Sequence, residues 1–531
     1  MRYYLMKKKK IFLFVVVAML TAMFVLTSCN GDVAEETEST QTQDEGDNSM
    51  ETQNKFIYVA DNYTIDGVKA RAKETAADMF TYIYNAAITE DYNTEKDYAV
   101  EIDVTLDSGI SSGGIVFGAK KSEQYDGIEG YAFMLRDRRV YLYELKGTAL
   151  SGMVVEQIAE KVVKSSDSEK CGKLRVERAG NTYRMYLLDD MDGVEPWQEF
   201  EYVLTGTSGN GIGYIDNGHG ADFDNLSITE YTAPEKEGKT YKNPVFNQFQ
   251  AADPGVLKYD GKYYCYSTSA DVGYYVYVSD DLVNWENKGY CIESAWGINR
   301  WYWAPEVVEK NGKFYMIMSV DEHIGFAVAD SPLGPFVPEE NWLYDKSIDG
   351  HIFLDDDGRA YLYYVSWREG HEYAIYGCEL EDDIVTVKPG TEKLILKAEA
   401  PWETKEGAVA EGPFILKHNG KYYLTYSGNG YTSHYYSVGY AISDSPLEGY
   451  ERYDCSPILS YTSKVYGPGH HSFTTSPDGS ELIIVYHAHK SETEVHPRTI
   501  CIDRARFAPT ASGVDRLEIL GPTHTSQEYP K

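Results

Sequence analysis

Apolar and polar residues alternate with a period of two in short runs between about residues 56 and 231, as in "YAVEIDVTL" (98–106), "GGIVFGA" (113–119), "GYAFMLRDRRVYLYEL" (130–145) and "KLRVERAGNTYRMYLL" (173–188). Such alternation places every second side chain on one face of an extended chain, so these runs predict strands. Their regular spacing and intervening turns predict a β-sandwich over 56–231. A different unit then recurs: "YDGKYYCYS" from Tyr259, "KNGKFYMIMS" from Lys310, "DDGRAYLYY" from Asp356, "HNGKYYLTYS" from His418 and "PDGSELIIVYH" from Pro477. Each is a hairpin whose Asp-Gly or Asn-Gly pair, at 260, 311, 357, 419 and 478, supplies the positive φ angles of a tight turn. Secondary repeats, "SDDLVNW" at 279, "ADSPLGPF" at 329 and "SDSPLEGY" at 443, keep a similar offset from the turns, and no helical period intervenes. Four-stranded repeats of this length are the units of propellers, so residues 245–531 predict a five-bladed β-propeller. Residues 232–244, "TAPEKEGKTYKNP", read as a polar linker bounded by prolines. The expected fold is therefore all-β, a sandwich followed by the propeller.

The start of the chain has a different character. Lys7 to Lys10 precede an apolar run, Ile11 to Leu26, which is short for a bilayer span and suited to a signal peptide. The run ends in Leu26-Thr27-Ser28-Cys29, which resembles the lipobox of bacterial lipoproteins and implies a lipid anchor on Cys29, with 1–29 as signal peptide. Residues 30–55 are rich in Glu, Asp, Thr, Gln and Ser, cannot bury enough surface to fold, and read as a tether. The expected location is extracellular, at a bacterial cell surface, anchored to the membrane.

The 531-residue chain carries 83 acidic and 49 basic residues, a formal charge of -34. That charge repels phosphate backbones and anionic surfaces, which excludes nucleic acid as a partner. The cysteines at 171, 265, 291, 378, 455 and 501 form no C-x-x-C pair, so neither a zinc site nor a redox motif is indicated. The 47 tyrosines suit stacking on sugar rings, and equally suit the interior of β-sheets.

Counting back from the turns, Trp303, Asp349, Glu411 and His470 stand eight residues before, and Asp253 seven before the first. In a propeller these positions open on the central channel, so Asp253, Asp349 and Glu411 are expected to converge in one pocket. Carboxyls brought together raise one another's pKa and cost stability, which points to function. Two carboxyls across a pocket can cleave a glycosidic bond, one as acid and the other on the opposite face of the sugar. The aromatic cluster Trp296, Trp301, Tyr302 and Trp303 suits either a wall of the sugar subsite or core packing, and of these Trp303 is the one favoured for the pocket. Glu306 lies out of register and is read as structural, and Asp355, Asp356 and Asp357 as solvated turn residues.

The motifs "DPGVLKYDGKYY", "WAPEV", "IDGHIFLDDDGRAYL", "EGPFILKHNGKYYLTYS" and "GPGHHSF...YHAH" occur in the order in which glycoside hydrolase family 43 carries them, and residues 243–509 resemble that family. The front region is similar to concanavalin-like jelly rolls that accompany carbohydrate-active enzymes, where it either binds sugar or has a purely structural role. The family resemblance implies a five-bladed propeller and inverting hydrolysis, with Asp253 as general base, Asp349 as modulator and Glu411 as general acid. It also implies a Ca2+ ion near His470, and Arg498 near the substrate pocket or on an outer strand. The implied substrates are neutral plant cell-wall polysaccharides or oligosaccharides with α-L-arabinofuranosyl or β-D-xylosyl linkages. The alternative is a non-catalytic glycan-binding lipoprotein, against which the intact carboxyl trio argues.

Overall fold

The structure, a computed structural model, describes residues 56–75, 84–89, 96–122, 127–137, 139–146, 154–163, 171–188, 199–204, 209–233, 238–246, 251–268, 272–510 and 512–531. The signal segment 1–29 and the tether 30–55 lie outside the described residues. All regular structure among the described residues is β-strand.

Two seven-stranded antiparallel sheets occupy the region before residue 231. The four alternating runs form strands: Tyr98–Leu106 lies between Cys171–Ala179 and Ala221–Glu230 in one sheet, and Ser112–Lys121, Ile128–Arg136 and Arg139–Lys146 run side by side in the other. Val100, Ile102 and Val104 from the first sheet and Ile115, Phe117 and Phe133 from the second fall in one buried cluster. The polar residues between them, such as Glu101 and Asp103, point away from it, as a period of two requires.

Five further antiparallel sheets follow in chain order, beginning with the strands Ala252–Tyr259, Tyr302–Lys310, Ser347–Leu354, Ala410–His418 and Gly469–Thr475. Four have four strands, and the second has a fifth, Tyr344–Asp345, beside its third strand. Neighbouring sheets share apolar clusters; the one between the fifth sheet and the first contains Tyr263, Cys265 and Tyr277 together with Ile483, Val485 and Ile502.

The segment read as a linker is partly built into this framework. Thr240–Tyr241 pairs with Gln527–Glu528 near the chain end, and the Tyr241 ring is buried in the cluster joining the fifth and first sheets. Asn243 both accepts from Ile502 N and donates to Ile502 O, each at 2.9 Å, and donates to Thr523 Oγ1 at 3.0 Å. Its side chain completes a local ladder that the backbone leaves open, because Pro244 has no N–H to give. The front body also touches the five-sheet body: Ser463 N donates to Ile158 O at 3.0 Å, and Gln527 Nε2 to Glu201 Oε1 at 3.0 Å.

Asn243→Ala removes the clasp, leaves the Ile502 N–H without its acceptor, and leaves the Ile502 carbonyl with the Tyr241 hydroxyl at 3.3 Å. It is expected to lower stability by about 1–3 kcal/mol, read from the denaturant midpoint. An unchanged midpoint would show that the segment is a passive connector.

Candidate active site

Each of the five first strands begins with a bulge. Pairing passes from Ala252↔Thr268 to Gly255↔Tyr266, from Trp303↔Ser319 to Glu306↔Ile317, from Ile348↔Val365 to His351↔Tyr363, from Glu411↔Ser427 to Phe414↔Thr425, and from Gly469↔His487 to His471↔Tyr486. In every case the first strand holds one residue more than its partner. The residue entering the bulge is left-handed in all five: Asp253 (φ 52), Ala304 (φ 41), Asp349 (φ 57), Gly412 (φ 56) and His470 (φ 43). Four of these are not glycine, at a cost of about 1–2 kcal/mol each. Gly412 has a further reason to be glycine, since a Cβ there would lie 3.3 Å from the His470 ring.

A repeated hydrogen bond holds these residues. The N–H of the left-handed residue donates to a side chain on the second strand of the preceding sheet: Ala304 to Thr268 Oγ1 (2.8 Å), Asp349 to Ser319 Oγ (3.0 Å), His470 to Ser427 Oγ (2.8 Å), and Asp253 to His487 Nδ1 of the fifth sheet (3.3 Å). Those acceptors all stand opposite the residue that precedes the bulge. In the third sheet that place is taken by Val365, which has no acceptor. The Gly412 N–H donates instead to Asp349 Oδ2 at 3.2 Å.

The bulges also correct the register. The left-handed residue stands seven positions before the turn residues Asp260, Asn311 and Asn419, but eight before Asp357 and Asp478. In the first, second and fourth sheets two residues separate the paired ends of the hairpin, whereas Leu354 pairs with Ala360 and Thr475 with Leu482. Asp253, Asp349 and His470 therefore occupy equivalent positions, and Glu411 and Trp303 stand one residue earlier.

Three carboxyls with opposite electrostatics meet here, each less than a tenth exposed. Arg498 grips Asp253 with both terminal nitrogens, Nη1 to Oδ1 at 2.8 Å and Nη2 to Oδ2 at 3.3 Å. His487 Nδ1 lies 3.2 Å and His470 Nδ1 3.4 Å from the same Oδ1. Burial pushes the Asp253 carboxyl up, but the charge of the Arg498 guanidinium, foremost among its neighbours, outweighs it and holds it well below the usual range. Burial, with Arg498 alongside, takes His487 down to about 3, so that ring is neutral. Asp349 is raised well above its ordinary value by burial and by the charges of Glu411 and Asp253. Glu411 is raised by burial, against the pull of two phenols, Tyr436 at 2.7 Å on Oε1 and Tyr373 at 2.9 Å on Oε2. Two buried carboxyls that influence each other titrate as a pair, and between them they retain a proton that Asp253 does not.

Arg498 is thus committed to Asp253, with its guanidinium 4.7 Å from the centre of the Tyr431 ring. Trp303 is half-buried and stacks on the exposed Trp301, ring centres 5.4 Å apart. Of the two readings for Trp301, core or wall, its 45% exposure rules out the core. Glu306 is structural as read: its carboxylate accepts from Ile352 N at 3.1 Å and pairs with His351 Nδ1 at 2.9 Å. Asp355 is not a solvated turn residue; it is buried, paired with Lys417 and bonded by Tyr422 Oη at 2.7 Å, because the longer turn folds it inward. Tyr373, Tyr436 and His487 were not singled out in the sequence. Tyr373, Tyr436 and Arg498 each immediately precede the third strand of their sheets, so aligning third strands as well as turns finds them.

His470 Nδ1 faces Asp253 and, at 3.8 Å, Asp349 Oδ2. Burial lowers its pKa, which leaves a neutral ring able to bind a cation. Calcium asks for six to eight oxygen ligands. Asp253 is already neutralised by Arg498, and among the described residues no group of three His, Cys, Asp or Glu side chains is placed to hold a metal ion. The side chains at His470 do not by themselves fit a calcium site.

The sequence profile described as "Glycosyl hydrolases family 43" matches residues 241–510. A β-D-galactofuranosidase of Aspergillus niger is 31% identical over 294 residues, spanning 50% of this chain and 82% of its own. A xylosidase/arabinosidase of Bacteroides ovatus is 28% identical over 278 residues, 42% of this chain and 84% of its own. Among solved structures, a thermostable family-43 glycoside hydrolase is 40% identical and superposes with a TM-score of 0.51 over 55% of this chain and 99% of its own. With these likenesses added to a site of three converging carboxyls, the chain belongs to glycosyl hydrolase family 43 and is a glycosidase.

Proposed function

We propose that the enzyme hydrolyses α-L-arabinofuranosyl linkages, or as second choice β-D-xylosyl linkages, of plant cell-wall polysaccharides or their oligosaccharides, with inversion at the anomeric carbon. The five sheets are then the blades of a closed propeller, and the two front sheets a sandwich joined to it. The same reading makes the enzyme a lipid-anchored protein of a bacterial cell surface. The observation that carries the chemistry is the opposed electrostatics of the trio: one carboxyl held ionised beside a pair held partly protonated.

Asp253 is the general base. It takes a proton from a water molecule as that water attacks the anomeric carbon, and Arg498 keeps it ionised while weakening it as a nucleophile. Glu411 gives its proton to the glycosidic oxygen as the bond to the anomeric carbon breaks, so one water is consumed and two hydroxyls appear. Asp349 keeps the proton available to Glu411 by disfavouring a second negative charge. Trp303 and Trp301 offer an aromatic wall to the sugar. The relatives named as acting on arabinosides, xylosides or galactofuranosides support a five-carbon or furanosyl substrate. Calcium enters none of these steps.

Asp253→Asn is expected to lower kcat by about 10²–10⁴ on every glycoside. Glu411→Gln should do so for an oligosaccharide and much less for a nitrophenyl α-L-arabinofuranoside, whose leaving group needs little protonation. Equal losses for the two variants on both substrates would overturn the division of roles, and a wild-type chain silent on arabinofuranosides, xylosides and their oligomers would overturn the substrate.

Val365→Thr copies the pairing of Thr268 with Ala304 and gives the Gly412 N–H a hydroxyl. Asp349 then loses a donor that favours its ionised form, so its pKa rises further. The acidic limb of the kcat profile, where the pair takes up a second proton, should move to higher pH. Thr268→Val, in a bulge without a carboxylate, should lower the melting temperature and leave the limb in place. An unshifted limb in Val365→Thr would show that the Gly412 bond does not tune the pair.

A further inference from the structure

A cleft of about 250 Å³ lies between the front body and the fourth sheet, away from the catalytic carboxyls. Arg139 and Glu160 line it from the front body, and Trp402, Lys405, Tyr435 and Tyr461 from the other side. Its walls are fixed. Tyr435 and Tyr461 meet at a right angle, ring centres 5.0 Å apart at 86°. The Trp402 ring fits against two glycines: a Cβ on Gly428 or Gly439 would lie 2.5 or 2.4 Å from it. Asn429 Nδ2 donates to the carbonyls of Trp402 and Tyr435.

The charge of the cleft is opposite to that of the chain. Lys405 Nζ lies 3.4 Å from the centre of the Tyr435 ring and 5.9 Å from that of Tyr461. Among the described residues neither Lys405 nor Arg139 has a carboxylate within ion-pair distance, in a protein of formal charge -34. Lys161, which also lines the cleft, is paired with Glu199 at 2.8 Å, and Glu160 is the one carboxylate of the lining. A carboxylate entering here meets two cations, Arg139, whose guanidinium also acts on the Tyr141 hydroxyl, and Lys405, while most of the remaining surface repels it.

The cleft shares a wall with the catalytic pocket. The segment from Asn429 to Tyr436 joins the second and third strands of the fourth sheet; Asn429 and Tyr435 face the cleft, while Tyr436 bonds Glu411 and Tyr431 lies on Arg498.

We propose that the cleft is a second carbohydrate site that binds a uronate-bearing residue of the glycan chain, its carboxylate on Arg139 and Lys405 and its ring against the tyrosine corner. This deepens the glycosidase reading above and rests on it. The site grips acidic decoration on a polymer whose neutral furanosyl or xylosyl residues are cleaved nearby.

The test uses the full chain carrying Glu411→Gln, titrated with a xylo-oligosaccharide bearing one glucuronosyl substituent and with its unsubstituted counterpart. The uronate compound is expected to bind at least tenfold tighter at low salt, with the advantage shrinking as salt rises. Arg139→Ala combined with Lys405→Ala should abolish the advantage, and Glu160→Gln should enlarge it, an improvement that misfolding cannot produce. In a background with Glu411 intact, the same substitutions should leave nitrophenyl arabinofuranoside hydrolysis within twofold. Equal binding of the two oligosaccharides, or an advantage that survives the double substitution, overturns the site. Loss of aryl-glycoside activity in the wild type is read separately and overturns the substrate reading instead.

Discussion

The hydrogen bond from one left-handed residue to the second strand of the preceding sheet is the interaction on which the catalytic region depends. It satisfies an N–H that the bulge removes from its own ladder, so the strained conformation is stable only while the neighbouring sheet is in place. The same bond recurs between successive sheets and returns from His487 of the fifth to Asp253 of the first. Strand pairing alone would leave the sheets free to slide; the latch sets where Asp253, Asp349 and His470 stand relative to one another.

One departure from the repeat shapes the chemistry. With Val365 in the third sheet, the Gly412 N–H turns to a carboxylate instead of a hydroxyl, and Asp349 gains its one backbone donor. On the other side of the pocket Arg498, His470 and His487 surround Asp253. Similar backbone frames thus hold carboxyls of opposite tendency: one kept ionised by a guanidinium, the other two kept sharing a proton by burial and mutual repulsion. Neither tendency is a property of Asp or Glu as residues. Each comes from what the adjacent sheet presents.

The repeated hairpins were legible because an Asp-Gly or Asn-Gly turn between alternating strands is a local signal, and the strands at 98–106 and 113–119 were legible for the same reason. The members of the carboxyl trio could be named from the same count. Their register could not, because the longer turns after Leu354 and Thr475 shift the count by one. Asp355 was misread as solvated for a related reason: its burial depends on Lys417 and Tyr422, about sixty residues on. Tyr373, Tyr436 and His487 carry no local signal of function. A tyrosine before a strand looks like any of the 47 in this chain until the fold brings it to Glu411.

The most direct test of the account is the configuration of the sugar first released from an α-L-arabinofuranosyl oligosaccharide, followed by proton NMR before mutarotation. An ionised Asp253 activating water, opposite Glu411 as acid, predicts the inverted β anomer as the initial product. Initial release of the α anomer would contradict it, since retention requires a carboxylate to attack the anomeric carbon, a role incompatible with an Asp253 held at both oxygens by Arg498.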